Sequence, residues 1–188
     1  MDSSIIITFA SPLFCGLILI EFFYGVITKQ NNYRINDAIT SMSLGLISRF
    51  VPILGLGFQY VVYKAVAEHY NLKLLSGEEI WVWVTAFILY DICYYWMHRI
   101  HHEIKVFWAT HVVHHHGEEF NLATALRQTS TGFLWKWVFF LPLFIIGIPP
   151  QMYVTVAGLN LVYQFWVHTE HIGRVGFLEY ILVTPSNH

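Results

Sequence analysis

The sequence predicts an all-α protein, a polytopic bundle of membrane-spanning helices that carries a histidine-rich cap on one side. Of its 188 residues, 56% are hydrophobic and 12% are charged, about half the charged fraction of an average soluble domain. Several apolar stretches approach or exceed the roughly 20 residues that a helix needs to cross a bilayer. Seven of the eleven histidines fall within residues 98–116, directly after one of these stretches.

The first apolar segment, Ser4–Ile27, is long enough to cross a hydrocarbon core and is expected to remain as an anchor. Its single charge, Glu21, is interpreted as an interfacial carboxylate or a contact to a neighbouring helix. After the polar connector Lys29–Asp37, the stretch Ala38–Ala67 is longer than one span. It reads either as a kinked helix or as an interfacial helix before a shorter span, because it is interrupted by Arg49, Pro52, Gly45, Gly55 and Gly57.

A second connector, Glu68–Glu79, contains the isolated His69, which is expected to be an ordinary surface residue. The third span, Ile80–Met97, leads straight into the histidine-rich region. Further on, Phe133–Ile148 and Gln151–Val167 are two apolar runs around Pro149-Pro150, a pattern that predicts a tight hairpin of two helices.

Such a hairpin returns the chain to the side of the membrane that it left, so His168 and His171 are expected to emerge beside His98–His115. The predicted histidine side is the basic one, with seven Lys and Arg residues against Lys64 and Lys73 opposite. The positive-inside rule therefore places the histidines in the cytoplasm, at a bacterial inner membrane or the endoplasmic reticulum. The formal net charge of −2 does not favour nucleic-acid binding.

The histidine spacing predicts metal coordination. His98 and His102 are four residues apart, as are His111 and His115, and His114 follows His111 by three. On a helix such pairs share one face, with Cβ atoms about 5–6 Å apart. With His168, His171 and the terminal His188, these are eight candidates, too many for one tetrahedral zinc site, so two metals are expected. Imidazole suits Zn, Cu, Fe or Ni, and the ligand type leaves the metal open.

The ordered boxes YYWMHRIHH, HVVHHHGEEFNLATALRQ, QFWVHTEH and TPSNH resemble those of the fatty acid hydroxylase (sterol desaturase) superfamily of membrane di-metal oxygenases. Within it, they most resemble a branch that cleaves ether lipids. The resemblance covers residues 80–188 of what is expected to be a single domain, 1–188. It implies a helical membrane fold and two iron ions held by His98, His102, His111, His114, His115, His168, His171 and His188. The family's last box continues beyond its first histidine, so a missing C-terminal end is expected.

The resemblance also implies hydroxylation of a lipid C–H bond with dioxygen, the lipid being an alkylglycerol ether, a sterol or a fatty acyl chain. The electrons are expected from an external donor, since the sequence has no flavin, haem or ferredoxin-type motif. The ether-lipid branch implies a reduced pterin, and the wider superfamily allows a cytochrome or ferredoxin; both stay open. An alternative is a non-catalytic membrane protein with an incomplete or zinc-filled histidine site. A metal transporter is less favoured, because transporters hold their ligands near the bilayer midplane.

Five other polar residues are candidates for supporting roles. Asp91 lies two helical turns before His98 in an apolar span. An acid in such a span is expected to orient a ligand imidazole, and this interpretation is favoured over a simple helix–helix contact. Glu170 lies between two box histidines. Asn121, Arg127 and Gln128 could bond to metal ligands, contact an electron donor, or pack the connector. His101 and His116 are not expected to bind metal. Apolar walls for the substrate, or an interfacial belt, are expected from Tyr94, Tyr95, Trp96, Phe107, Trp108, Phe165 and Trp166.

Overall fold

The computed structural model describes residues 3–51, 58–75, 77 and 79–188, with the side chains of 3–8, 49 and 51 outside that description. Within this part of the chain there are seven α-helices and no strand, which confirms the predicted all-α class. The helices are α1 Ser3–Thr28, α2 Ile35–Val51, α3 Phe58–His69, α4 Ile80–Glu103, α5 Lys105–His115, α6 Lys136–Ile146 and α7 Pro150–Phe165.

Among the residues that the structure describes, two helices are long and apolar enough to cross a membrane, over Phe9–Thr28 and Ile80–Glu103. Their surfaces agree with that role, since large apolar side chains such as Leu19 and Ile88 are more than half exposed. In water such surface would be unfavourable, whereas lipid tails solvate it. The protein is thus a helical membrane protein by composition and architecture.

The stretch 38–67 contains two helices, α2 and α3. The predicted interruption at Pro52, Gly55 and Gly57 lies outside the described residues, as does the side chain of Arg49.

The two helices predicted around Pro149-Pro150 are present as α6 and α7, joined by a short turn. Gly147 ends α6 with a φ of 121°, a conformation that residues with a Cβ rarely adopt. The C-terminal end of α6 is held by the loop before α4, because the backbone N–H groups of Leu72 and Leu74 donate hydrogen bonds to the carbonyls of Ile145 and Ile146 (2.7 and 3.0 Å). At 1.5 Å per residue α6 rises about 17 Å, so it does not cross a bilayer core of about 30 Å by itself.

The helices pack around two apolar clusters. The larger one joins α3, α4, α6 and α7, with Val82, Phe144 and Val156 almost completely buried. The smaller one packs α1 against α7 and the segment after α5, and at its centre Phe14 stacks on Phe165 with ring centroids 4.0 Å apart. The smaller cluster therefore packs α1 against the two segments that adjoin the histidines at 111–115 and 168–171.

Candidate metal centre

A sharp corner between α4 and α5 brings the first two histidine boxes together. Helix α4 continues through His98 and His102 to Glu103, and Ile104 then adopts an extended conformation (φ −108°, ψ 121°) before α5 begins at Lys105. A β-branched residue takes this conformation readily. The carbonyl of Ile104 accepts the N–H of Trp108 (2.8 Å), which caps the new helix. The change of direction at Ile104 brings α5 against α4, so that the rings of His98 and His111 are 4.7 Å apart.

This corner forms the first histidine group, His98, His102, His111 and His115, whose candidate ligand nitrogens all lie within 4.8 Å of one another. The Nε2 atoms of His98 and His102 are 3.1 Å apart, as are those of His111 and His115. His111 is buried, His98 is half-buried, and His102 and His115 are exposed. Four imidazoles in this arrangement match the donor number of a tetrahedral metal site.

The second histidine group comprises His114, His168 and His188, again with ligand nitrogens within 4.8 Å of one another. It joins α5 to the segment after α7, with the Nε2 atoms of His114 and His168 3.1 Å apart. The two groups adjoin, because the ring centroids of His114 and His115 are separated by 5.2 Å. Among the described residues, no carboxylate joins either group.

The hydrogen bonds of the second group indicate which nitrogens face the centre. His114 Nδ1 bonds to the carbonyl of Arg127 (3.0 Å), and His168 Nδ1 bonds to the carbonyl of Gln164 (2.8 Å). Because a carbonyl only accepts hydrogen bonds, each Nδ1 carries the proton, and each Nε2 of the neutral ring presents a lone pair. Two lone pairs 3.1 Å apart repel unless a cation lies between or beside them. The donor set therefore fits a metal ion.

Burial keeps these imidazoles neutral. Burial, together with the neighbouring imidazoles, lowers the pKa of His111 to about 2. In the same way burial lowers the pKa of His114 to about 4 and that of His168 to about 3. Metal ligands must be deprotonated. The side chains of His111, His114 and His168 are already neutral at pH 7 without any metal.

Four other histidines lie outside both groups. His171, expected among the ligands, packs its ring edge-on against Tyr24 of α1 at 5.1 Å, and its Nε2 has no hydrogen-bond partner. His101 is 1% exposed and bonds through Nδ1 to the carbonyl of Met97 (2.7 Å). His116 and His69 are exposed, and neither they nor His101 belong to either group.

Neither of the two acids proposed for supporting roles belongs to a histidine group. Asp91 is exposed and accepts a hydrogen bond from Asn160 (3.4 Å). Asn160 bonds in turn to Gln164, whose carbonyl accepts the His168 bond, so Asp91 reaches the second group only through two intermediate residues. Glu170 is exposed.

The segment after the second box is held rigidly. Asn121 is 2% exposed, and its amide donates to the carbonyl of Asn32 (2.7 Å). The Arg127 guanidinium is buried against Asp37 (2.8 Å) and donates to the carbonyl of Val113 (2.9 Å). It is the Arg127 carbonyl that meets His114. Gln128 donates to the carbonyl of Ala125 (3.2 Å), a local bond.

The aromatic residues around the site divide into two sets. Tyr94 lies against His98 (ring centroids 5.8 Å apart), and Trp108 lies against His102 and His115 (5.4 and 5.6 Å). The remaining candidates lie farther out: Phe107 packs on His101, Phe165 is in the smaller core, Trp166 packs edge-on against Tyr163, and Tyr95 and Trp96 are about half exposed.

One buried acid plays a larger part than its sequence position indicated. Glu21 is 6% exposed and bonds to Tyr33, Leu122 and Thr169, far apart in the chain. The signal in the sequence was its position as the single charge of an apolar span, the usual mark of a functional intramembrane residue.

An all-α membrane fold with two adjoining histidine groups defines a class of membrane metalloprotein, and sequence comparison gives the family. Residues 83–188 match the fatty acid hydroxylase family, and the chain belongs to it. Curated relatives named alkylglycerol monooxygenase, from Homo sapiens and Danio rerio, are each 41% identical over 180 residues, or 95% of this chain. The Caenorhabditis elegans protein of that name is 29% identical over 169 residues, or 89% of this chain.

The chain spans about 40% of the length of the human and zebrafish relatives and 33% of the nematode one. No solved structure matches it.

Proposed function

We propose that this chain carries the di-iron centre of an oxygenase that hydroxylates a C–H bond of a membrane lipid. The observation that carries the proposal is the pair of adjoining histidine groups at the end of α4, in which the ligand nitrogens of seven imidazoles cluster within 4.8 Å of one another in each group. Family membership supports the same reaction class. The site residues are His98, His102, His111, His115, His114, His168 and His188, with His171 as a further candidate only if the segment after α7 moves.

When bound, iron supplies the redox chemistry for the reaction of dioxygen with an unactivated C–H bond. Zinc has no such redox chemistry. The protein supplies the geometry. The carbonyls of Arg127 and Gln164 fix the tautomers of His114 and His168, so that both Nε2 lone pairs face the centre. Trp108 and Tyr94 form apolar walls against the first group, where they exclude water from the substrate.

The favoured substrate is an alkylglycerol ether, in view of the names of the relatives. The net reaction uses one dioxygen, two electrons and two protons. One oxygen atom enters the C–H bond next to the ether oxygen, and the other leaves as water. The resulting hemiacetal collapses, its hydroxyl proton moving to the ether oxygen, to give an aldehyde and a glycerol. The electrons come from an external donor, either a reduced pterin or an electron-transfer protein.

The lipid enters sideways from the bilayer, because the histidine groups lie where the long apolar helix α4 ends. In this proposal the groups face the cytoplasm, the basic side by the positive-inside rule, and the whole chain acts as one domain.

The test is the metal content of the chain, purified in mild detergent from iron-supplemented cells, followed by anaerobic reduction and addition of dioxygen with 1-O-hexadecylglycerol. Two irons per chain and formation of hexadecanal are expected. Zinc in place of iron, with no aldehyde from the chain or from a longer form of the protein, would instead favour the non-catalytic alternative.

Variants locate the site. His102→Ala and His115→Ala each remove one imidazole of the first group, and each is expected to lower activity about 100-fold or more, beyond the 10–100-fold typical of supporting residues. His69→Ala is the matched control, because this exposed imidazole bonds only within α3, to Ala65 (2.9 Å). Full activity in the His102→Ala protein would refute the assignment.

A further inference from the structure

Glu21 connects α1 to three separate parts of the chain. Its carboxylate is 6% exposed. It accepts hydrogen bonds from the Tyr33 hydroxyl, the Thr169 hydroxyl and, at 2.8 Å, the backbone N–H of Leu122. None of these donors belongs to α1. A buried carboxylate is stable only when such donors surround it, so the acid and its three partners hold one another in place.

One of these bonds leads to His168. Thr169 follows His168 directly, and the Thr169 hydroxyl also accepts the backbone N–H of His171 (3.2 Å). Just before this segment, Phe165 stacks on Phe14 of α1 at 4.0 Å. The stretch that presents His168 is therefore attached to α1 by an apolar contact before the ligand and by Glu21 after it.

Another bond leads to His114. Leu122 lies in the segment after α5. In the same segment the side-chain amide of Asn121 donates to the carbonyl of Asn32 (2.7 Å). That segment continues through a short 3-10 turn to Arg127, whose carbonyl accepts the Nδ1–H of His114. Glu21 thus fixes the supports on both sides of the 3.1 Å gap between His114 and His168.

The first histidine group has a different support. His98, His102, His111 and His115 all lie on α4 and α5, and the corner at Ile104 sets their separations. The hydrogen bonds of Glu21 go to Tyr33, Leu122 and Thr169 and so reach neither helix.

We propose that Glu21 is a positioning residue for the second metal, holding His114 and His168 at the separation that coordination requires. This role rests on the proposed metal centre. It predicts a selective effect: loss of the carboxylate weakens metal binding at the second histidine group by about 10–100-fold, the range seen for residues that orient ligands, and leaves the first group unchanged.

The test is a Co²⁺ titration of the metal-free chain in mild detergent, followed by the visible absorption of the ion, since Co²⁺ accepts imidazole ligands. His114→Ala leaves only the first group intact, and His102→Ala leaves only the second. Glu21→Leu is added to each. It is expected to weaken Co²⁺ binding at least 10-fold in the His102→Ala protein and to leave the His114→Ala protein unchanged. A general loss of folding would weaken both.

Conservative variants separate positioning from folding. Glu21→Gln keeps an acceptor oxygen for Leu122 and is expected to restore most of the affinity. If Glu21→Leu does not fold, Thr169→Val removes one of the three bonds, and Thr169→Ser restores it. The matched control on α1 is Thr28→Val, because the Thr28 hydroxyl bonds to Tyr24 (2.8 Å) and Gly25 (3.5 Å) of the same helix.

Equal weakening at both groups, or unchanged binding in Glu21→Leu and Thr169→Val, would overturn the role of Glu21. Absence of Co²⁺ binding by the unsubstituted chain is a different result. It would overturn the metal centre itself, and with it any positioning role.

Discussion

Replacing Arg127 with methionine tests whether the segment behind the second histidine box is held by a buried ion pair. The side chains of Arg127 and Asp37 are 5% and 14% exposed, and Nη1 lies 2.8 Å from the carboxylate. The same nitrogen donates to Ser41 (3.2 Å), and Nε donates to the carbonyl of Val113 (2.9 Å). Methionine keeps most of the apolar stem but none of these donors.

The expected loss of folding free energy is about 3 kcal/mol. Breaking a buried ion pair on one side costs about 3–5 kcal/mol, because the remaining charge stays buried. Water reaches part of the Asp37 carboxylate at 14% exposure, which favours the lower end of that range. Adding Asp37→Asn removes the unpaired charge and is expected to recover part of the loss.

The assay is unfolding in mild detergent by titration with sodium dodecyl sulfate, followed by tryptophan fluorescence. Arg34→Met is the matched control, since Arg34 pairs with Glu118 and Glu119 at the surface, its own side chain being 63% exposed. Such a pair contributes about 0–1 kcal/mol. If Arg127→Met costs no more than Arg34→Met, the buried pair does not stabilise this segment, and the reasoning is wrong.

Three further outcomes are expected from the same unfolding assay. Gly45→Ala places a Cβ 2.6 Å from the carbonyl oxygen of Leu126 and is expected to cost about 1–3 kcal/mol, whereas Gly16→Ala, with nothing within 4 Å, is expected to be nearly neutral. The metal-free protein is expected to keep its full stability above pH 6.5 and to become less stable as the pH falls towards about 3–4. The folded pKa of His114 is about 4 and that of His168 about 3, so the unfolded chain takes up protons at a higher pH than the folded chain does. Equal stability at pH 7 and pH 5 would contradict this. Loading the metal sites at 100 times Kd is expected to add about 2.7 kcal/mol per site, and chelation is expected to reverse it.

The local arrangement of the histidines followed from the sequence. Residues four apart share a helix face whatever the rest of the fold does, and this is how His98 pairs with His102 and His111 with His115 at 3.1 Å. The apolar spans and the turn at Gly147 were predictable for the same reason, because length, hydropathy and turn chemistry act over a few residues.

The division of the ligands between two groups depended on tertiary structure. From spacing alone His111, His114 and His115 could share one centre, yet the structure puts His114 with His168, 54 residues further on. The reason is that α1 and the segment after α5 anchor the third box through Glu21 and Phe14, and these contacts turn His168 towards His114. Contacts between distant segments have no period in a sequence, so neither the partners of Glu21 nor the placement of His171 against Tyr24 could be read from it.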